Sequence, residues 1–307
     1  MGEINRALLI INLLKETSRI WGKNIEDELR RRNIKVHSFF FDGRGAFQSD
    51  GEYDCCFCLG GDGTVLYAAR TLAPLGVPII PINLGSLGFI AAVRPTDWVR
   101  VLDSWLRGEA SLSRRLMLEV RVERQGSIIM EGTCLNDTVI SALGIAKLLR
   151  LGVTSVSVNR DAAPPWAASV TASILLGQYR SDGLIVATPT GSTAYSAAAG
   201  GPILDPELAA MIINPICPFT LSNRPMVVPA GETVIVELEK EQQSGLILTL
   251  DGQVTEALEP LDRIFICRAP RDTLLVASDR EDFYHALRAK LNWSGGSICG
   301  YGGESDA

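Results

Sequence analysis

Cys55-Cys56-Phe57-Cys58-Leu59-Gly60-Gly61-Asp62-Gly63-Thr64-Val65-Leu66-Tyr67-Ala68-Ala69 decides the fold. Residues 54–59 form a short apolar run without a breaker, as a buried strand requires. Three glycines around one aspartate then turn the chain, and 65–75 reads as a helix. Strand, glycine turn and helix in that order are one unit of a parallel sheet covered by helices. The same alternation extends outward. Residues 7–14, 34–41 and 77–83 read as strands, and 96–106 as a helix. Residues 18–32 have helical apolar spacing, with Ile20, Ile25 and Leu29 expected on one side.

The pattern changes near Glu109. Leu116, Leu118, Val120 and Val122 alternate with polar residues, as in a half-buried strand. Strand-like runs follow at 233–239, 246–250, 254–258, 263–267 and 273–277, and Asp251-Gly252 between two of them is a hairpin turn. The expected fold class is therefore α/β plus all-β. A Rossmann-like parallel-sheet domain (1–108 plus 278–293) precedes a mainly antiparallel β domain (109–277), with sheets packed face to face. A C-terminal helix over 281–291 returns to the first domain, and 294–307 forms a disordered Gly/Ser-rich tail. Residues 159–172, with Pro164-Pro165 and several alanines, match neither helix nor strand and read as an exposed insertion.

The chain has 307 residues, enough for two cores, with 21% charged and 47% hydrophobic residues. A formal net charge of −6 speaks against nucleic acid or an anionic membrane as partner. No stretch is long and apolar enough to span a bilayer, and 7–14 lacks the cleavage site of a signal peptide. Cys55 and Cys58 have CxxC spacing, but inside an apolar run. They read as buried free thiols of a reducing cytoplasm rather than as a metal or redox pair.

Three stretches carry chemistry. In the glycine turn, backbone N–H groups and the following helix start suit an anion, which makes the carboxylate of Asp62 unexpected. It belongs there if it orients or deprotonates an alcohol that receives a phosphoryl group. The plain alternative is a strand–helix turn with Asp62 as N-cap. The stretch matches no Walker A loop, and no GxGxxG follows the first strand, which speaks against an ordinary dehydrogenase. The second stretch is Thr188-Pro189-Thr190-Gly191-Ser192-Thr193-Ala194-Tyr195, following Ser181-Asp182-Gly183 and a strand over 184–187. Its crowded hydroxyls suggest a surface facing a ligand with many hydrogen-bonding groups, and Tyr195 offers a ring face, where helix capping is the alternative. The third is Asn136-Asp137, either a turn or a polar pair held at a strand edge.

Together Gly60–Thr64, 83–89, 135–139, 182–195 with Gly200-Gly201-Pro202, and Leu221-Ser222-Asn223-Arg224-Pro225 resemble the NAD kinase family, in its order and near its spacing. The Gly-Gly-Asp-Gly-Thr loop alone is shared with diacylglycerol and sphingosine kinases and with 6-phosphofructokinases. The threonine-rich stretch is the specific part. The resemblance implies phosphoryl transfer from ATP, with a divalent metal such as Mg²⁺, to the 2′-hydroxyl of the adenosine ribose of NAD, giving NADP. It makes Asp62 the catalytic carboxylate, with Gly61, Gly63 and Thr64 in the phosphate-holding loop and Gly63 and Phe89 lining the nucleotide. Asn136, Thr190, Thr193 and Ala194 would hold the adenine end, Asp137 a ribose hydroxyl, and Tyr195 and Asp182 the nicotinamide end. It also implies a homodimer or homotetramer sharing site residues between subunits. Many relatives have Asn-Glu where this chain has Asn136-Asp137, a chemically equivalent acid. Neither loop holds a lysine, and Arg180 and Arg224 are the nearest basic residues with motif context. Two rival functions are a lipid kinase, which leaves Thr188–Tyr195 unexplained, and a non-catalytic NAD(P) sensor.

Overall fold

A computed structural model describes residues 4–291 except 44, 46, 87, 145–146, 159–169 and 221. Most of the expected insertion and the whole expected tail therefore lie outside the described residues. The chain opens with β1 (Arg6–Asn12), α1 (Ser18–Arg31), β2 (Lys35–Phe41), β3 (Cys55–Gly60), α2 (Asp62–Leu72), β4 (Ile79–Asn83), α3 (Trp98–Leu106) and β5 (Leu112–Arg115). Then come β6 (Leu118–Arg124), β7 (Ser127–Cys134), β8 (Asp137–Ala142), β9 (Leu149–Val158), β10 (Val170–Ser181) and β11 (Gly183–Ala187). A single helical turn, α4 (Tyr195–Ala198), leads to β12 (Ala210–Ile216), β13 (Met226–Pro229), β14 (Thr233–Leu238), β15 (Leu246–Leu250) and β16 (Val254–Leu258). The chain closes with β17 (Arg263–Arg268), β18 (Thr273–Val276) and α5 (Arg280–Leu291).

The first sheet has the order β2-β1-β3-β4-β18-β5. All pairs are parallel except β18 with β5. Every residue of β3 is buried, as a strand covered on both faces must be. Cys55, Cys56 and Cys58 are free thiols in that core, and burial pushes the Cys55 thiol up to about 12. From β1 the chain passes to β2 on one side and then to β3 on the other. The strand order thus reverses between the C-terminal ends of β1 and β3, the place where open α/β sheets leave a crevice.

Two antiparallel sheets follow, β10-β9-β14-β17-β6-β7 and β13-β12-β11-β8-β15-β16. They share one core, in which Val120, Val122, Leu151 and Val153 of one sheet meet Leu184, Val186, Ile213 and Leu248 of the other. Helix α5 returns to the first sheet's lobe. Phe283 is buried with its ring 6.2 Å from that of Phe89, and Ser278 Oγ donates to the Ile90 carbonyl.

Three details differ from the sequence reading. Ile20 is 64% exposed, while Ser18, Gly22, Ile25 and Leu29 form the buried face of α1. At 100° per residue Ile20 lies well around the helix from Ile25, so apolar character alone misassigned it. Helix α2 starts at Asp62 rather than Val65, so the glycine-rich stretch is already its first turn, with Gly61 as N-cap. Strands β5 and β18, which the reading gives to the second domain, are hydrogen-bonded in the first sheet. A strand of only four residues carries no mark of which sheet takes it.

Candidate functional site

Helix α2 brings Asp62 to the crevice side of the first sheet. Its carboxylate does not cap its own helix. Oδ2 accepts the N–H of Phe89 (2.9 Å), and Oδ1 accepts those of Ile90 (3.2 Å) and Ala91 (2.9 Å). The segment after β4 is shaped for this. The Asn83 side-chain amide donates to the carbonyls of Ser86 and Ala91, and its oxygen accepts the Gly85 N–H. Gly88 must lack a side chain, since a Cβ there would overlap Asp62 Oδ1 and lie 2.8 Å from its Cγ. On the other side, buried Thr64 Oγ1 accepts from the Asn12 amide at 2.8 Å, tying α2 to the end of β1.

The second assembly surrounds the start of β8. Asp137 is the first residue of that strand and Asn136 precedes it, so the pair sits at a strand edge rather than in a turn. The loop after β11 is stitched to it. Thr188 N–H donates to the Asn136 carbonyl (2.8 Å), and Thr188 Oγ1 donates to the Leu135 carbonyl (2.5 Å). Gly191 presses on the same backbone, where a Cβ would lie 2.7 Å from Asn136 Cα. This corrects the view of the loop hydroxyls as one ligand-facing surface. Ser192 Oγ donates to the Pro189 carbonyl and accepts the Leu204 N–H, and Thr193 Oγ1 donates to the Thr190 carbonyl. Only Thr190 Oγ1 is buried without a protein partner among them, as is Asn136 Oδ1. Buried polar atoms are rarely left unpaired unless something else binds them.

A cavity of about 410 Å³ opens here, within the usual range for small-molecule sites. Asn136, Asp137, Ala194 and Tyr195 line it, together with Val139, Ser141, Thr249, Asp251 and Gly252. The structure thus joins four of the expected residues from two motifs far apart in sequence. Tyr195 is 48% exposed at its edge. The remaining candidates stand elsewhere. Asp62, Gly61, Gly63, Thr64, Thr190 and Thr193 do not line the cavity, and neither do Arg180 and Arg224. Phe89 lines a different cavity of about 380 Å³, beside α5. Asp182 precedes β11 at the end opposite Ala187, whose partner in register is Asp137. Five residues of strand separate them, roughly 17 Å.

Asp251 is the residue the sequence reading left as a turn. The turn is there, with φ 49° at Asp251 and 65° at Gly252. Its carboxylate, however, accepts the N–H groups of Leu135 (3.0 Å), Asn136 (2.7 Å) and Asp137 (3.3 Å), and it pairs with Arg70 at 3.0 Å. Burial raises Asp251 above the ordinary carboxylate range, opposed by these N–H groups and Arg70. Among the described residues, no N–H or cation pairs with the Asp137 carboxylate in this way. Burial first, and then the neighbouring Asp251, push it up to about 7. No sequence signal distinguished an Asp-Gly turn with an inward-reaching carboxylate from an ordinary one.

Comparison with known proteins gives one family. A model described as the ATP-NAD kinase N-terminal domain matches residues 21–110, and one described as the ATP-NAD kinase C-terminal domain matches 170–278. An NAD kinase of Treponema denticola is 38% identical over 295 residues, covering 96% of this chain and 98% of that protein. One from Geobacter sulfurreducens is 40% identical over 240 residues, 78% of each chain. Among solved structures, a yeast NADH kinase complexed with NADH superposes with a TM-score of 0.78 at 20% identity, covering 97% of this chain and 91% of that one. An Archaeoglobus fulgidus NAD kinase in complex with ATP gives 0.67 at 24% identity, covering 94% and 98%. The two structures speak to the fold.

Proposed function

The chain belongs to the NAD kinase family and phosphorylates NAD, and on that footing we propose that it moves the γ-phosphoryl of ATP onto the 2′-hydroxyl of the adenosine ribose. The observation that carries the site assignment is the cavity lined by Asn136, Asp137, Ala194 and Tyr195. Asn136, which lines it, and Thr190, in the loop packed on Asn136, each carry a buried oxygen without a protein partner among the described residues. We assign the adenine end of NAD to Asn136, Thr190, Thr193 and Ala194, and a ribose hydroxyl to Asp137. Tyr195 and Asp182 lie towards the nicotinamide end.

Asp62 is the proposed base. Three backbone N–H groups already hold its carboxylate, which has about four acceptor positions, so one remains for a hydroxyl. A carboxylate fixed in this way loses little freedom when the alcohol arrives. In the step, the 2′-oxygen bonds to the γ-phosphorus as the bond to the bridging oxygen of ADP breaks. The hydroxyl proton passes to Asp62 and ADP leaves. Gly61, Gly63 and Thr64, at the start of α2, are assigned to the donor phosphates, and Phe89 to the nucleotide's edge. Among the described residues no group of three or more His, Cys, Asp or Glu converges as a cage for a metal. We therefore assign Mg²⁺ to the donor, entering as the ATP complex held largely by its own phosphates.

We further propose a homodimer or homotetramer in the cytoplasm. In support, the outer strands β10 and β13 carry exposed Ile174, Leu175 and Val227, and the described cysteines are free thiols. No described helix is long and apolar enough to cross a membrane. The test is incubation with NAD, Mg²⁺ and ATP. Product accepted by an NADP-specific dehydrogenase supports 2′-transfer. Tight NAD binding without product would instead establish a sensor, and a diacylglycerol acceptor tests the lipid-kinase reading.

A further inference from the structure

The turn between β15 and β16 touches both lobes at once. Arg70, on α2, donates through one guanidinium nitrogen to Asp251 Oδ2 at 3.0 Å and through another to Gln253 Oε1. Gln253 Nε2 donates in turn to the carbonyl of Gly63 at 2.8 Å. The turn therefore grips α2 at its first turn and again two turns further on. The Asp251 carboxylate simultaneously holds the N–H groups of Leu135, Asn136 and Asp137.

We infer that Arg70 and Gln253 are positioning residues for phosphoryl transfer: they fix α2, which carries Asp62, at a set offset from Asn136-Asp137. This rests on the assignment of Asp62 and Asn136-Asp137 made above. Asp62 is anchored within the first lobe by Phe89–Ala91, and Asn136-Asp137 within the second by Asp251. The Arg70–Gln253 clasp joins those two anchored sets by directional bonds. Its core is protected from water, with the Arg70 side chain 12% exposed and that of Asp251 0%. Its outer arm, Gln253, is exposed and can be removed without opening the core. A displacement of about 1 Å between reacting groups costs up to about 10²-fold in rate.

The experiment uses the full chain with Gln253→Ala. Expected is a kcat about tenfold lower or more, with the KM for NAD within about threefold of wild type and an unchanged melting temperature. Arg70→Lys keeps a charge beside Asp251 but cannot fork to Gln253, and should reproduce the same kcat loss. Combined with Gln253→Ala it should add little further, because both remove one link. A wild-type kcat for Gln253→Ala overturns the inference. So does a rise in the KM for NAD at unchanged kcat, which would make Gln253 a nucleotide contact. Asp62→Asn run in parallel separates the failures. If it stays active, the site assignment itself fails. If it is inactive while Gln253→Ala is silent, only the clasp fails.

Discussion

Replacing Asp62 by Asn tests the site at its centre. The change keeps the shape and swaps one carboxylate oxygen for an amide NH₂. With the amide oxygen in the Oδ1 position, the bonds from Ile90 and Ala91 survive, while the NH₂ faces the Phe89 N–H as donor against donor. Losing one bond to a charged acceptor costs about 1.5–3 kcal/mol of stability. A domain stable by roughly 5–15 kcal/mol therefore stays folded. The chemistry suffers more. A positioned base contributes about 10²–10⁴-fold, or roughly 2.7–5.4 kcal/mol of barrier at 1.36 kcal/mol per decade. The assay is steady-state NADP formation over a range of NAD concentrations, with a thermal melt of the same preparation. Expected is a kcat lower by two to four decades, a KM for NAD within a few-fold, and a melting temperature lower by several degrees. A kcat within tenfold of wild type, with the melting temperature still lowered, would refute the reasoning. Asp62 would then be a brace for residues 88–91 and nothing more.

Gly88→Ala leaves the carboxylate chemically intact but drives it out of place, because the new Cβ overlaps Asp62 Oδ1. The clash falls on a side-chain end, so the chain should fold with a kcat reduced about 10- to 100-fold, and wild-type turnover would show that Asp62 need not occupy this position. Thr190→Val removes a buried hydroxyl that has no protein partner, so denaturant unfolding should find stability unchanged or slightly raised. The KM for NAD should rise about 2- to 13-fold, the value of one hydrogen bond, and an unchanged KM removes Thr190 from the site. For Asp137, the folded chain holds its proton up to about pH 7, whereas the unfolded chain releases it near pH 4. Between those values the folded state binds more protons, so this group makes the protein less stable as pH rises, and the loss is complete above about pH 7. Asp137→Asn should therefore gain stability relative to wild type as pH increases through that window, and a pH-independent difference in urea midpoints would contradict the assignment.

The first lobe was legible because local signals and tertiary outcome agree. The apolar run at Cys55–Gly60 had to be covered on both faces, and a glycine turn into a helix has few other uses. The hairpin at Asp251-Gly252 was legible for the same reason, since the Asp-Gly pair suits two successive positive φ values. What the Asp251 side chain does was not. Its partners at Arg70 and Leu135–Asp137 are remote in sequence, and nothing local to the turn encodes them. The hydroxyl-rich loop shows the opposite case. Composition suggested four ligand contacts, yet Thr188 accepts the Gly191 N–H and donates to the Leu135 carbonyl, and Ser192 and Thr193 donate to carbonyls of the loop itself, as a tight loop's backbone requires.

By itself, the sequence determined the alternation of strands and helices in the first lobe and the change from parallel to antiparallel sheets, because periodicity, glycine and turn chemistry act over a few neighbouring residues. Only the tertiary structure decided that β5 and β18 join the first sheet. It also decided that Asp62 lies against Phe89–Ala91, and that one buried carboxylate ties α2 to the start of β8. Those are pairings between distant segments. They are settled by which buried polar groups find partners once the lobes close, a condition that no local stretch of chain can express.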